Sequence, residues 1–151
     1  NALETIERAD AIYFTGGSQS TLIRRLIDEM NLLNAIKQAT RLKAVGGGSA
    51  GMMAMGQKVI VGASDVKNIT DGLCFIDNTI LDSHFSKHSR LARLQTVLKS
   101  NLDYSGIGID DNTGLILSEN YIIEKVIGSG TATTITNTGK IKVYDKNTIL
   151  S

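Results

Sequence analysis

The sequence predicts one α/β domain: helices sandwich a mostly parallel sheet, and an antiparallel, β-rich part follows at the C-terminal end. Three observations carry this. Between residues 11 and 98, short β-type apolar runs alternate with stretches of helical period. Glycines cluster where β-type runs end, and after Gly106 only brief β-type runs remain. The first pattern gives strands connected through helices, and the last gives hairpins.

In order along the chain, Ala11-Ile12-Tyr13-Phe14 is a β-prone run that stops at Thr15-Gly16-Gly17, where glycine permits a tight turn. From about Ser20, Leu22, Ile23, Leu26, Ile27 and Met30 recur at helical spacing, and Leu33, Ile36 and Ala39 begin a second helix after Asn31. Leu42 to Val45 reads as the next strand. Gly46-Gly47-Gly48-Ser49-Ala50-Gly51 is then a sharp turn, and Met52 to Met55 the start of a buried helix. Val59 to Val61 and Thr79 to Leu81 are strand candidates, while Leu91, Leu94, Val97 and Leu98 share one helix face. Further strands are expected at Ile107 to Ile109, Leu115 to Leu117, Tyr121 to Val126, Ala132 to Ile135 and Ile141 to Tyr144, with Asn137-Thr138-Gly139 turning the last pair. No linker, repeat or low-complexity tract interrupts residues 1–151, so a single domain is expected.

Composition narrows the function classes. With 42% hydrophobic residues, 21% charged residues and 15 glycines in 151 residues, the chain can bury a core, which argues against disordered and fibrous classes. A formal net charge of +1 gives no reason to expect a nucleic-acid partner, whose binding needs a clustered basic surface, and no apolar stretch approaches a membrane span. Neither partner is expected. Cys74 is the single cysteine and sits in Leu73-Cys74-Phe75-Ile76, so a buried thiol is expected and an intramolecular disulfide is impossible. The start Asn1-Ala2-Leu3-Glu4 has no signal-peptide character and no initiator Met, as in a processed or trimmed piece. Compartment stays open between cytoplasm and secretion, with the cytoplasm favoured.

Chemistry concentrates at three places. Gly47-Gly48-Ser49-Ala50-Gly51 satisfies the G-x-S-x-G pattern, in which small neighbours let a serine occupy a strained strand-to-helix turn with its hydroxyl exposed. The backbone N–H of Ala50 would then supply half of an oxyanion hole. A glycine-rich turn that binds phosphate, or nothing, is the competing reading. A serine nucleophile needs a base. His84 follows the strand-like Thr79-Ile80-Leu81-Asp82, at the edge where open α/β sheets place ligands, and His88 lies four residues on. Phe85 stands where a zinc-type HExxH pattern requires glutamate, so no metal is expected. Asp111, closing Ile107-Gly108-Ile109-Asp110, is the leading acid to orient His84; Asp65, Asp71, Asp77 and Asp82 compete, and Asp110-Asp111-Asn112 could be only a turn. Arg90 and Arg93 are three apart, on one helix face, and could clamp a carboxylate or simply be solvated.

Five segments in order resemble one family: Phe14-Thr15-Gly16-Gly17-Ser18-Gln19, Gly48-Ser49-Ala50-Gly51, Asp82-Ser83-His84-Phe85-Ser86, Arg90-Leu91-Ala92-Arg93-Leu94 and Gly106-Ile107-Gly108-Ile109-Asp110-Asp111. On these the chain resembles the cyanophycinase and peptidase E (aspartyl dipeptidase) family of serine exopeptidases, with the family's N-terminal portion missing. The resemblance implies a fold similar to class I glutamine amidotransferases, a serine triad, and no metal or organic cofactor. It also implies a peptide substrate with an aspartyl residue, including β-aspartyl-arginine units of cyanophycin. Whether the chain forms a homodimer stays open.

By motif, Ser49 matches the nucleophile, His84 the base and Asp111 a position where the cyanophycinase branch has glutamate, which leaves Asp65 as the alternative acid. Gly17 and Ala50 match oxyanion-hole positions. Gln19, Asp82, Arg90 and Arg93 match substrate-pocket positions, as does Ser83, which replaces glutamine. Ser18 replaces aspartate, Lys87 glutamine, His88 arginine and Ser89 glycine, and the segment between Met55 and Leu81 is shorter than in relatives. Three rivals to a cyanophycinase-like activity follow: an α-aspartyl dipeptidase, a catalytically silent module that binds an acidic ligand, and amidotransferase-like chemistry, where the turn would carry cysteine instead of serine.

Overall fold

Val59 and Ile60 are adjacent and both are completely buried. Because successive strand residues face opposite ways, their strand must be covered on both sides. In the computed structural model, which describes residues 1–62 and 68–150, the elements run α1 (Ala2–Arg8), β1 (Ala11–Phe14), α2 (Gln19–Asp28), α3 (Met30–Ala39), β2 (Ala44–Gly47), α4 (Ala50–Ala54), β3 (Gly56–Ile60), β4 (Ile69–Asp71), β5 (Ile76–Ser83), α5 (Leu91–Lys99), β6 (Ser105–Ile109), β7 (Thr113–Leu117), β8 (Ile123–Gly128), β9 (Ala132–Ile135) and β10 (Ile141–Tyr144).

Val59, Leu81 and Ile107 point to one face of the central sheet and pack with Ile23 and Leu26 of α2, Leu33 and Ile36 of α3, and Met53 of α4. Ile60, Ile80 and Ile135 point to the other face, beneath Leu94, Val97 and Leu98 of α5. Helices thus lie on both faces. Burying one such side chain fully stabilises the fold by about 1.5–3 kcal/mol, so these two layers fix where the strand ends lie.

The sheet differs from the expected one. Six strands pair in the order β10-β9-β6-β5-β3-β4, while β1-β2 and β7-β8 form separate two-stranded ladders. Pairs β1-β2, β3-β5 and β5-β6 are parallel. Pairs β3-β4, β6-β9, β9-β10 and β7-β8 are antiparallel. The arrangement is therefore mixed, not mostly parallel. Connection length accounts for β7-β8 and β9-β10, whose loops are too short to carry a crossover helix, whereas the longer connection from β6 to β9 is taken up by the β7-β8 hairpin. Phe14 and Phe75 stack with centroids 5.7 Å apart, which packs the β1-β2 ladder against the larger sheet.

Other local differences are informative. Leu42 and Lys43 belong to a turn that closes α3, with both N–H groups bonded to Ala39 O, so the strand starts at Ala44. α1 was not expected from apolar period because it buries no residue; a reciprocal capping box between Asn1 and Glu4 starts it. Cys74 is exposed, not buried. It adopts φ +54°, and this turn sends Leu73 and Phe75 inward and the thiol outward. Asp65 lies outside the described residues.

Candidate active site

Three strand ends deliver the side chains that the sequence singles out. β2 ends at Gly47, and Ser49 follows with φ +51° and ψ −121° before α4 begins. Such a conformation costs an L-residue about 1–3 kcal/mol, so packing must enforce it. The motif's glycines show how. A Cβ on Gly51 would lie 2.3 Å from Phe14 O, and one on Gly47 would lie 2.6 Å from Met52 N. Only glycine lets α4 approach the ends of β1 and β2 so closely.

β5 ends at Ser83, and His84 follows at φ +51°. The turn it opens is pinned to the end of β6: Phe85 N donates to Ile109 O (3.2 Å) and Ser86 N to Asp110 Oδ1 (2.9 Å). Asp110 Oδ2 accepts from Thr131 N (3.0 Å) and Thr131 Oγ1 (2.8 Å), at the start of β9. Burial pushes the Asp110 carboxyl up, but the hydrogen bonds from Ser86 and Thr131 outweigh it and hold it below the usual range. Asp110 is a three-element staple that sequence reading took only as part of a turn.

Ser49 Oγ lies 3.0 Å from His84 Nε2, and His84 Nδ1 meets Asp111 Oδ1 on the opposite side of the ring. The hydrogen bond with His84, then that with Lys87, holds the Asp111 carboxyl below its ordinary value. An ionised Asp111 has no proton to give, so Nδ1 carries one and Nε2 is free to accept from Ser49. Lys87 Nζ sits 3.3 Å from Asp111 Oδ2. His88 stands edge-on to His84, ring centroids 5.9 Å apart.

Beside Ser49 lies a cavity of about 240 Å³ whose lining includes Gly17, Gln19, Ala50, Ser83, Arg90 and Arg93, all expected from the sequence. Met53 and Gly62 also line it and were not expected. Met53 is marked by helical position alone, as a residue of α4 facing back toward the sheet. Gln19 Nε2 donates to Ile60 O (3.1 Å), and Ser83 Oγ approaches Met53 Sδ (3.4 Å).

The arginines are not a solvated helix face. Asp82 is completely buried, with Arg90 Nη1 2.9 Å from Oδ1 and Arg93 Nε 3.3 Å from Oδ2. Arg90 Nη1 also donates to Ser83 O (2.7 Å), and Arg93 Nη1 to Gly62 O (3.0 Å). Burial raises the Asp82 carboxyl against the pull of both guanidinium groups, and burial likewise lowers Arg93. Arg90 and Arg93 share the Asp82 carboxylate behind the cavity wall.

Comparison with known proteins identifies the family. The sequence model of Peptidase family S51 matches residues 1–125. A cyanophycinase from Geminocystis herdmanii is 36% identical over 94% of this chain, and one from Synechococcus elongatus is 30% identical over 88%. The matches span 57% and 44% of those two proteins, so the chain covers about half the length of these relatives. Among solved structures, a peptidase from an acI-B1 Actinobacterium superposes with a TM-score of 0.73 at 22% identity, over 97% of this chain and 61% of that one. A putative peptidase E protein from Listeria monocytogenes EGD-e gives 0.52 at 15%, over 95% and 63%. The two structural likenesses speak to fold alone.

Proposed function

The chain belongs to peptidase family S51, and from that premise we propose that it carries the reaction centre of a serine exopeptidase that hydrolyses aspartate-linked peptides in the manner of cyanophycinase. The observation that carries this reading is the continuous run from Ser49 Oγ through His84 to Asp111, assembled from three separate strand ends beside a cavity.

In this reading Ser49 Oγ attacks the scissile carbonyl while His84 Nε2 takes its proton. The N–H groups of Gly17 and Ala50 hold the oxyanion, and Asp111 stabilises the imidazolium. His84 then gives the proton to the leaving amine, which departs and leaves an acyl group on Ser49. Water attacks the acyl carbon, His84 takes a proton from it, and returning that proton to Ser49 releases the acid. The Arg90 and Arg93 guanidinium groups, which line the cavity, favour a substrate carboxylate, and Arg90 Nε is buried with no hydrogen-bond partner among the described residues. Gln19 and Ser83 line the same cavity, while Asp82, expected at the pocket, is completely buried and holds the two arginines instead. The fold is read as that of class I glutamine amidotransferases, with residues 1–151 as one unit.

Product analysis tests this directly. The full-length protein, incubated with cyanophycin, β-aspartyl-arginine peptides and α-aspartyl dipeptides, should release product from at least one aspartyl substrate, and Ser49→Ala should release none. Turnover of an α-aspartyl dipeptide alone would move the protein to that branch; turnover unchanged by Ser49→Ala would remove Ser49 from the mechanism.

A further inference from the structure

Asp111 is held from two sides, and only one of them belongs to the serine–histidine relay. Oδ1 faces His84 Nδ1, while Lys87 Nζ lies 3.3 Å from Oδ2. Asp111 is about one-third exposed, and the last torsion of an aspartate is a broad, two-fold rotor. A carboxylate tethered at one oxygen in such a setting can swing away from its partner. Lys87 can act on it because its backbone is fixed: the turn from His84 to Arg90 is pinned at Phe85 and Ser86 to the same β6 end that carries Asp111.

We propose that Lys87 is a positioning residue of the Ser49–His84–Asp111 set: its ammonium group occupies Asp111 Oδ2, keeps Oδ1 aimed at His84 Nδ1, and offsets part of the negative charge that the imidazole feels. The inference rests on the serine peptidase reading for its consequence in catalysis, and on geometry alone for the coupling to His84. It gives the neighbouring acids separate duties. Asp110 fixes the backbone of the turn, and Asp111 is fixed by a side chain of that turn.

The charged and titratable groups that face His84 are Asp111 from the end of β6, Lys87 and His88 from its own turn, and Arg90 and Arg93 across the cavity, set against Asp82. All but Lys87 are retained in Lys87 variants, so a change in His84 titration reports on Lys87. Lys87→Gln keeps a donor for Oδ2 and removes the charge. Lys87→Met removes both and keeps the length of the stem, and Lys87→Arg keeps both.

Two measurements on the full-length protein separate this proposal from the peptidase reading. Nuclear magnetic resonance titration of the His84 ring nitrogens reads the coupling without any reaction. The pH profile of Ser49 labelling by a serine-reactive fluorophosphonate reads its consequence. In Lys87→Gln the imidazole should titrate about half a pH unit higher, and the acid limb of labelling should move with it, as for an exposed ion pair. Lys87→Met should in addition label about three- to tenfold more slowly at the optimum, and Lys87→Arg should match the parent. If His84 titrates alike in all four proteins, or if Gln and Met lose rate equally with no change in pH profile, Lys87 is a surface residue and the proposal fails. A parent protein whose Ser49 never labels would instead remove the peptidase reading, while the titration would still decide the role of Lys87.

Discussion

Two charged clusters lie on either side of Ser83. Asp82, Arg90 and Arg93 form a dry cluster, with the carboxylate completely buried and the arginine side chains 13% and 9% exposed. His84, Asp111 and Lys87 form a wet one, with exposures of 37%, 35% and 65%. The contrast separates two uses of ionic contact. Charges out of water interact strongly and are costly to leave unpaired, so the dry cluster is rigid and holds its shape in salt. Charges in water are screened within about 8 Å at physiological ionic strength, so the wet cluster contributes little to stability and can change protonation state during a reaction.

The largest expected effect lies in the wet cluster. Asp111→Asn should lower the chemical step by about 10⁴-fold, because the imidazole loses both its tautomer and the partner of its charged form. Its thermal midpoint should stay close to that of the parent. A rate loss below about tenfold would transfer the acid's role elsewhere, with Asp65→Asn as the paired variant. Opposite behaviour is expected in the dry cluster. Asp82→Ala removes the buried carboxylate that Arg90 and Arg93 share and should cost about 3–5 kcal/mol in denaturant unfolding. A cost under about 1 kcal/mol would show that the two clusters do not differ as described.

Selectivity should come from the dry side. Losing one charge-assisted hydrogen bond costs about 1.5–3 kcal/mol, so Arg90→Ala should lower kcat/KM for an aspartyl substrate by about ten- to a hundredfold. The loss should shrink for an otherwise identical asparaginyl substrate. Equal losses on both would confine Arg90 to its structural pairing with Asp82.

The smallest effect is in pH-dependent stability. Asp111 is lowered by His84 and then Lys87, so its ionised form adds stability above the value of an unfolded aspartate, about 3.9, and that stability is lost as pH falls through the lower folded value. Asp111→Asn should therefore be slightly less stable than the parent by a constant amount at neutral pH, and the two should converge as pH falls below about 4, which flattens the acid limb. A difference that vanished at neutral pH and appeared only in acid would contradict the sign.

How much of this was legible in the sequence follows the same division. Strands β1, β9 and β10 were bounded correctly by apolar runs and glycine turns, and Ser49, His84 and Asp111 fell where strand ends were read. Their positions depend on local signals. The mixed sheet was not legible, because an apolar run such as Ala132 to Ile135 is the same for either direction of pairing. The dry cluster was only half visible. Helical spacing put Arg90 and Arg93 on one face but could not say that this face turns inward to a buried Asp82. Cys74 misled for the opposite reason: an apolar run suggested burial, and one left-handed residue reversed it. The roles of Asp110 and Lys87 needed contacts 21 and 24 residues away along the chain, which no local pattern encodes.

The central claim is that His84 activates Ser49, and covalent labelling tests it most directly. The folded full-length protein should react with a fluorophosphonate at Ser49 alone, with the adduct mapped by mass spectrometry, and His84→Ala should label at least a hundredfold more slowly, in line with loss of general-base catalysis. A folded parent protein with no adduct at Ser49, or a His84→Ala variant that labels at the parent rate, would contradict the account and leave an α/β module that binds an acidic ligand without turning it over.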